Sequence, residues 1–457
     1  MNDVIAAIST PYGRGGIAVL RISGDGAIEC ADKMFRLPSG RRLCDVAGGS
    51  VVYGEILHSG ERIDDGCAAV FRAPRSFTGE DTVEISCHGG VLITQKVLES
   101  ILACGARPAL GGEFSKRAFI SGKMSLTEAE SIMDIIDAES DDALKVAAAA
   151  QEGILSKKID ALHDRLVALL SQVYVYIDYP DEDLTDVTSD EAADILRSVL
   201  SETNGLLATY STGRAVSKGI SAVICGRPNT GKSSLLNRIL GRERAIVTDV
   251  AGTTRDTIEE NAMLGRVPLH LVDTAGLHET GDTVEALGVE RSRQSLEDAE
   301  LIFAVFDASK PLTAEDGEVL AMLRVEKRER TVIVLNKTDV DMKFAEADFE
   351  DFPDVIKFSC RTGEGMDALA EAVNKRYIDG RLDLRHDAVI SNARQYAALK
   401  RAQEALENAL CCLQNGTGPD VAGLDIEDAI GALGQLDGRS VGEEIVHGIF
   451  SRFCVGK

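Results

Sequence analysis

The stretch "GISAVICGRPNTGKSSLLNRIL", residues 219–240, constrains the fold more than any other part of the chain. A β-branched run meets a glycine-containing loop, and a helix-period segment follows, which is the strand–loop–helix unit of a parallel α/β sheet. "GRPNTGKS", Gly226 to Ser233, matches the phosphate-loop pattern GxxxxGK[ST]. Its backbone N–H groups, from Asn229, Thr230 and Gly231 through Ser234, wrap phosphates, Lys232 reaches the β/γ oxygens, and the Ser233 hydroxyl suits Mg²⁺. Apolar strands ("HLVDTAG", "LIFAVFDAS", "TVIVLNKTD", "VIKFSC") alternate with helices to about residue 380.

Four further elements follow in the order a guanine-nucleotide site requires. "DTAG", Asp273, Thr274, Ala275 and Gly276, ends a strand 41 residues after Lys232. An aspartate there holds the magnesium shell and a glycine senses the γ-phosphate. "NKTD", Asn336, Lys337, Thr338 and Asp339, ends another apolar strand. Its carboxylate accepts from the guanine N1 and 2-amino groups, a donor pair that adenine lacks. "SCRTG" completes the base pocket with Ser359, Cys360 and Arg361. The run Thr248, Asp249, Val250, Ala251, Gly252, Thr253, Thr254 offers Thr254 as a switch hydroxyl on Mg²⁺. The residue after "DTAG" is Leu277, so the glutamine that orients water in Ras-like sites is absent.

At 457 residues the chain is too long for one ordinary core, and two to four domains are expected. Residues 1–120 read as a mixed α/β domain rich in short strands, from "IAVLRISG", "VVYGEIL", "CAAVFRAP" and "DTVEISCHGG". "PYGRGG" precedes a strand and therefore reads as a turn rather than a dinucleotide fingerprint. From residue 121 to 215 apolar residues recur at helical spacing, among them Ile132, Ile135, Ile136, Ile159, Leu162, Leu166, Leu169, Leu170 and Val173. The acidic "DYPDEDLTDVTSDE" reads as a solvated loop. Helical spacing returns over 381–457, so the α/β segment of residues 216–380 looks inserted into one discontinuous helical domain.

Ten cysteines lack metal-ligand spacing and read as reduced thiols. The formal charge of −25 disfavours nonspecific nucleic-acid binding. Residues 1–120 are nearly neutral, with 13 basic and 14 acidic groups, whereas residues 121–215 hold 7 and 19. With no long apolar run and no leader pattern, the expected compartment is the cytoplasm, without membrane attachment. The terminal "FCVGK" is a poor prenylation signal, because Gly456 is not aliphatic, Lys457 is terminal and no polybasic segment precedes it.

Taken together, "GRGGIAVLRISG", "SFTGEDTVEISCHGG", "GEFSKRAF", the flanked nucleotide domain and "FCVGK" resemble the tRNA wobble-uridine modification GTPases (MnmE, also called TrmE) along the whole chain. The resemblance implies a K⁺ ion caged by Asn229, Thr248, Val250 and Thr253, supplying charge that an arginine finger brings elsewhere. It places the water-positioning carboxylate on Glu285. It also implies an N-terminal domain that dimerises and binds 5-formyl- or 5,10-methylene-tetrahydrofolate through Arg21, Glu84, Lys123 and Lys457. Cys454 matches the family's cysteine near the folate and is expected to be catalytic, attacking a carbon rather than only packing beside the folate, with Phe450 and Phe453 as anchors for the tail. Departures are mild: Val455 replaces Ile or Leu, Thr230 stands where a small apolar residue is usual, and Cys360 where alanine is common.

The implied activity is K⁺-dependent GTP hydrolysis that drives C5 aminomethyl-type modification of the tRNA wobble uridine. The implied assembly is a homodimer joined to an FAD-dependent partner (MnmG, also called GidA) as a heterotetramer. Two other readings share parts of this pattern. A ribosome-assembly GTPase would carry a basic RNA-binding C-terminal region, yet residues 381–457 hold 8 basic and 11 acidic groups. A GTP-gated one-carbon transferase would turn over folate without a partner.

Overall fold

The computed structural model describes residues 3–178, 188–241, 260–271, 296–415 and 419–456. The N-terminal portion contains β1 (Ile5–Ile8), β2 (Ile17–Ser23), α1 (Ala27–Asp32), β3 (Phe35–Arg36), β4 (Ser50–His58), β5 (Glu61–Phe71), β6 (Thr82–His88), α2 (Val91–Ala103) and β7 (Arg107–Pro108). The strands join in the order β3-β4-β5-β6-β2-β1-β7, antiparallel except for β1 with β7. Period-two alternation sorts β2: Ala18, Leu20 and Ile22 are buried, while Arg21 and Ile17 face the other way. Leu20, Ile22, Ile56, Val70 and Val83 form a core with Ile28 of α1 and Val97 and Ile101 of α2. β1, β3 and β7 are too short to stand out in the sequence, whereas the four longer strands carry the alternating runs.

The helices that follow are α3 (Glu113–Ile120), α4 (Leu126–Ile136), α5 (Asp141–Gln151), α6 (Ile154–Asp178) and α7 (Ser189–Lys218). In the predicted stripe Ile159, Leu162, Leu166, Leu169 and Val173 of α6 and Ile132 of α4 are buried and Leu170 is half-buried, whereas Ile136, at the end of α4, is exposed. Thr188 and Glu191 start α7 with reciprocal caps: Glu191 N donates to Thr188 Oγ1 at 3.2 Å, and Thr188 N to Glu191 Oε2 at 3.0 Å.

The second sheet contains β8 (Ile220–Cys225), followed by α8 (Lys232–Leu240), β9 (Glu260–Leu264), β10 (Val267–Leu271), β11 (Leu301–Asp307), α9 (Ala314–Glu326), β12 (Thr331–Asn336), β13 (Asp354–Lys357) and α10 (Met366–Tyr377). Strand order is β13-β12-β11-β8-β10-β9, parallel except for the β9–β10 hairpin. Every residue of β11 and β12 is buried, as continuous apolar runs covered on both faces require. β11 lies between β8 and β12, pairing Ala304 with Cys225 and Asp307 with Asn336. The C-terminal ends of these three strands therefore meet along one edge, where open α/β sheets bind ligands.

Three helices complete the chain: α11 (Ala393–Gln414), α12 (Pro419–Asp437) and α13 (Glu443–Phe450). α11 packs along α7, with Tyr210 stacked on Tyr396 at 4.5 Å. Two compact units emerge, one of Met1–Met133, Gln151–Asp181 and Gly423–Lys457, the other of Asp134–Ala150 and Glu182–Ala422. The helical segments are shared out between them. Among the described residues no helix is long and apolar enough to cross a membrane.

Candidate nucleotide and N-terminal sites

The loop after β8 turns on two glycines. Gly226 has φ +137°, and a Cβ there would meet the Val305 carbonyl at 2.4 Å. Gly231 has φ +104°, and a Cβ would meet Asn336 Nδ2 at 2.1 Å. Any side chain at these two positions would push the loop off the neighbouring strands. Asn229 also adopts the left-handed region, at φ +65°, which asparagine tolerates. The loop delivers the chain into the N-terminus of α8, where the helix dipole suits an anion.

Side chains hold the loop from within and from outside. Thr230 is fully buried and donates through Oγ1 to the Arg227 carbonyl at 3.0 Å. Its hydroxyl is thus satisfied inside the loop, which explains how threonine fits where a small apolar residue is usual. Lys232 Nζ donates to the same carbonyl at 2.9 Å. Burial holds the Lys232 ammonium below the usual lysine range. Arg227 Nε donates to Asp316 Oδ1 at 3.0 Å, and Asp316 closes the capping box of α9 with Thr313.

The end of β12 supplies the base side. Asn336 is buried; its Nδ2 donates to the Thr230 carbonyl at 2.8 Å and its Oδ1 accepts from Cys360 N at 3.1 Å. One amide therefore links the phosphate loop, "NKTD" and "SCRTG". Asp339 Oδ1 accepts from Ser359 Oγ at 2.7 Å and Oδ2 pairs with Arg361 Nε at 2.9 Å. The Ser359 hydroxyl, and behind it the Arg361 charge, hold the Asp339 carboxyl below its usual range, so it stands ionised as a hydrogen-bond acceptor. Thr338 Oγ1 donates to the Phe358 carbonyl at 2.9 Å, pinning "NKTD" to the strand beside it. Burial pushes the Cys360 thiol up and takes Cys225 to about 12, so both behave as apolar packing.

Asp307 was not singled out by the sequence pattern, yet it receives Lys337 Nζ at 2.7 Å. Its only sequence signal is an acid at the end of a wholly apolar strand. Thr248, Asp249, Val250, Ala251, Gly252, Thr253, Thr254, Asp273, Thr274, Ala275, Gly276 and Glu285 lie outside the described residues, as does Lys457. Of the residues in view, Ser233 at the head of α8 carries a hydroxyl, a hard oxygen donor of the kind Mg²⁺ takes, and Asn229 carries an amide oxygen, a donor type that a hard cation accepts.

In the N-terminal unit Arg21 and Glu84 face each other across β2 and β6. Arg21 Nε donates to Glu84 Oε1 at 2.8 Å, and the guanidinium lies over Phe77 at 4.9 Å and Phe114 at 5.6 Å. Among the described residues Arg21 Nη1 is buried without a partner, a donor suited to a polar ligand. Lys123 Nζ donates to the Pro74 carbonyl at 3.0 Å. The chain's end docks on this unit. Phe450 and Phe453 are buried with Leu126 and Val446, Gly112 N donates to the Cys454 carbonyl at 3.4 Å, and Ser9 Oγ to the Gly456 carbonyl at 3.2 Å. This backbone pairing leaves Cys454 exposed.

Comparison with known proteins agrees along the length of the chain. Residues 4–123 match the family described as "GTP-binding protein TrmE N-terminus", and residues 126–454 match "MnmE helical domain". The tRNA modification GTPase MnmE of Lactobacillus acidophilus is 42% identical over 459 residues, covering 100% of this chain and 98% of the relative. That of Geobacillus kaustophilus is 42% identical over 465 residues, covering 100% and 99%. The phosphate-loop pattern, the "NKTD" segment packed against it and the two family matches converge, and the chain belongs to the MnmE (TrmE) family of tRNA modification GTPases.

Proposed function

We propose that the chain is a K⁺-dependent GTPase that, with an FAD-dependent partner, modifies C5 of the tRNA wobble uridine to the aminomethyl or carboxymethylaminomethyl form. The observation that carries this reading is the single Asn336 side chain joining the Thr230 carbonyl to Cys360 N, which registers a phosphate loop against a guanine loop. In this reading Lys232 and the head of α8 hold the β/γ-phosphates, Asp339 reads guanine, and Ser233 and Thr254 hold Mg²⁺. Asn229, Thr248, Val250 and Thr253 hold K⁺. These two ions, when bound, supply positive charge to the phosphate oxygens. Glu285 orients the attacking water in place of the missing glutamine.

We read three domains: residues 1–120 for dimerisation and folate, residues 121–215 with 381–457 for a discontinuous helical domain, and residues 216–380 for the GTPase; the family match over residues 4–123 supports the first of these boundaries. Arg21, Glu84, Lys123 and Lys457 bind a tetrahydrofolate carrying a one-carbon unit, and exposed Cys454 stands beside it. The acidic chain leaves most tRNA contact to the flavoprotein (MnmG), in a cytoplasmic heterotetramer.

Deleting the gene tests the reading through tRNA nucleosides measured by mass spectrometry. The modified wobble uridine disappears and returns with the intact gene; unchanged nucleosides in the deletion strain overturn the pathway.

A further inference from the structure

Asp307 closes β11, a strand buried along its whole length, and its side chain is 2% exposed. A carboxylate in that position persists only when its oxygens are filled. Oδ1 accepts from Ser309 N at 3.1 Å and from Ser309 Oγ at 2.6 Å, and Oδ2 accepts from Lys337 Nζ at 2.7 Å. Burial works to raise this carboxyl, but the Lys337 and Ser309 hydrogen bonds outweigh it and hold it below the ordinary range. Asp307 therefore stands as an anion beneath the loops.

Lys337 is the other half of the arrangement. Its φ is +68°, the left-handed region that non-glycine residues seldom enter, and it lies just beyond β12. From there Nζ reaches two places: Asp307 Oδ2 and, at 3.0 Å, the carbonyl of Asn229 in the phosphate loop. Asn229 is itself left-handed, at φ +65°. The ammonium thus joins the guanine loop to the turn of the phosphate loop, with the buried carboxylate fixing its third side. A lysine has a long, flexible, strongly hydrated head, and one carbonyl alone does not order it. The charged hydrogen bond it donates to Asp307 does.

We propose that Asp307 is a positioning residue for the guanine nucleotide: through Lys337 it sets the spacing between the base-reading loop and the phosphate loop. The inference rests on the assignment of these loops to GTP. GTP and GDP share the base and the loop, so both lose affinity when the spacing relaxes. The chemical step, which depends on groups elsewhere in the site, changes less.

A double-mutant cycle on the full chain tests it, using a fluorescent GDP analogue for binding and steady-state GTP hydrolysis for turnover. Asp307→Asn and Lys337→Met each weaken GDP about tenfold and raise KM about as much, with kcat lowered less than about threefold. The double variant is within about twofold of Lys337→Met, because both changes remove one linkage. Independent losses that multiply to about 100-fold, or a fall confined to kcat, overturn the proposal. Ser309→Ala removes one bond to Asp307 and serves where Asp307→Asn does not fold. It costs about threefold, a loss that vanishes in the Lys337→Met background, and its persistence there overturns the proposal. Asp339→Asn separates the two levels of argument. If it weakens GDP while Asp307→Asn does not, the positioning role fails alone; if it leaves GDP binding unchanged, the guanine-site assignment fails beneath it.

Discussion

The nucleotide loops and the N-terminal unit build their sites by opposite means. Around the phosphate loop, short contiguous motifs sit on adjacent strand ends and are joined by the polar side chains of Asn336 and Lys337, while Arg227 ties the loop to α9. In the N-terminal unit, Arg21 and Glu84 come from separate strands, and the tail arrives from the far end of the chain on buried rings. Polar linkages give loops a defined spacing because each bond is directional. Apolar anchoring gives a tail its place through burial, while backbone pairing sets its direction.

That contrast can be broken most forcefully at Phe450. It is 1% exposed and packs against Phe453 at 5.2 Å and Phe119 at 6.1 Å. Phe450→Ala is expected to cost about 3–5 kcal/mol by leaving a cavity. Amide exchange in residues 3–123 reads the loss, and unchanged protection there would show that the rings do not anchor the tail.

A smaller effect sharpens the nucleotide side. Replacing K⁺ by Na⁺ at constant ionic strength is expected to slow GTP hydrolysis at least about tenfold, roughly 1.4 kcal/mol, if the cage discriminates cations by size. Equal rates in the two salts would remove the ion from the mechanism and leave the polar linkages to organise the site alone.

The smallest expected effect is in the pH dependence of Lys232. Burial lowers its pKa from 10.5, so in the free protein the ammonium loses its proton at a lower pH than an exposed lysine. For folding, the sign is that of a depressed base: this burial opposes stability at neutral pH, and the opposition fades as pH rises through the lowered value. For binding, GDP affinity is expected to fall as pH rises, at a lower pH than the loss of an exposed lysine's proton would give, and a Lys232→Arg variant to delay the fall. A titration in which both proteins lose affinity together would assign the fall to another group.

Much of the nucleotide region was legible from local signals. The runs "LIFAVFDAS" and "TVIVLNKTD" became β11 and β12 because an uninterrupted apolar strand must be covered on both faces. Gly226 and Gly231 mark a loop that approaches other backbone and side-chain atoms too closely for a Cβ. Asp307 was not legible, because its role depends on a lysine 30 residues away turning back beneath the loop. In the N-terminal unit β1, β3 and β7 escaped notice because strands of two to four residues carry no periodic signal.

The same boundary runs through the tail. "FSRFCVGK" shows two rings and a thiol, and hydrophobicity alone makes burial of the rings the expected outcome. Tertiary structure decided where they are buried and how the residues after them lie: with Phe450 and Phe453 in the core, Gly112 N meets the Cys454 carbonyl and the thiol stays exposed. Local patterns of sequence determined the longer strands and the glycine turns of the loop after β8, because their physics acts over a few neighbouring residues. Only the folded chain decided the Asp307–Lys337–Asn229 linkage and the seat of the tail, because both depend on atoms brought together across long loops, whose closure the packing within each unit sustains.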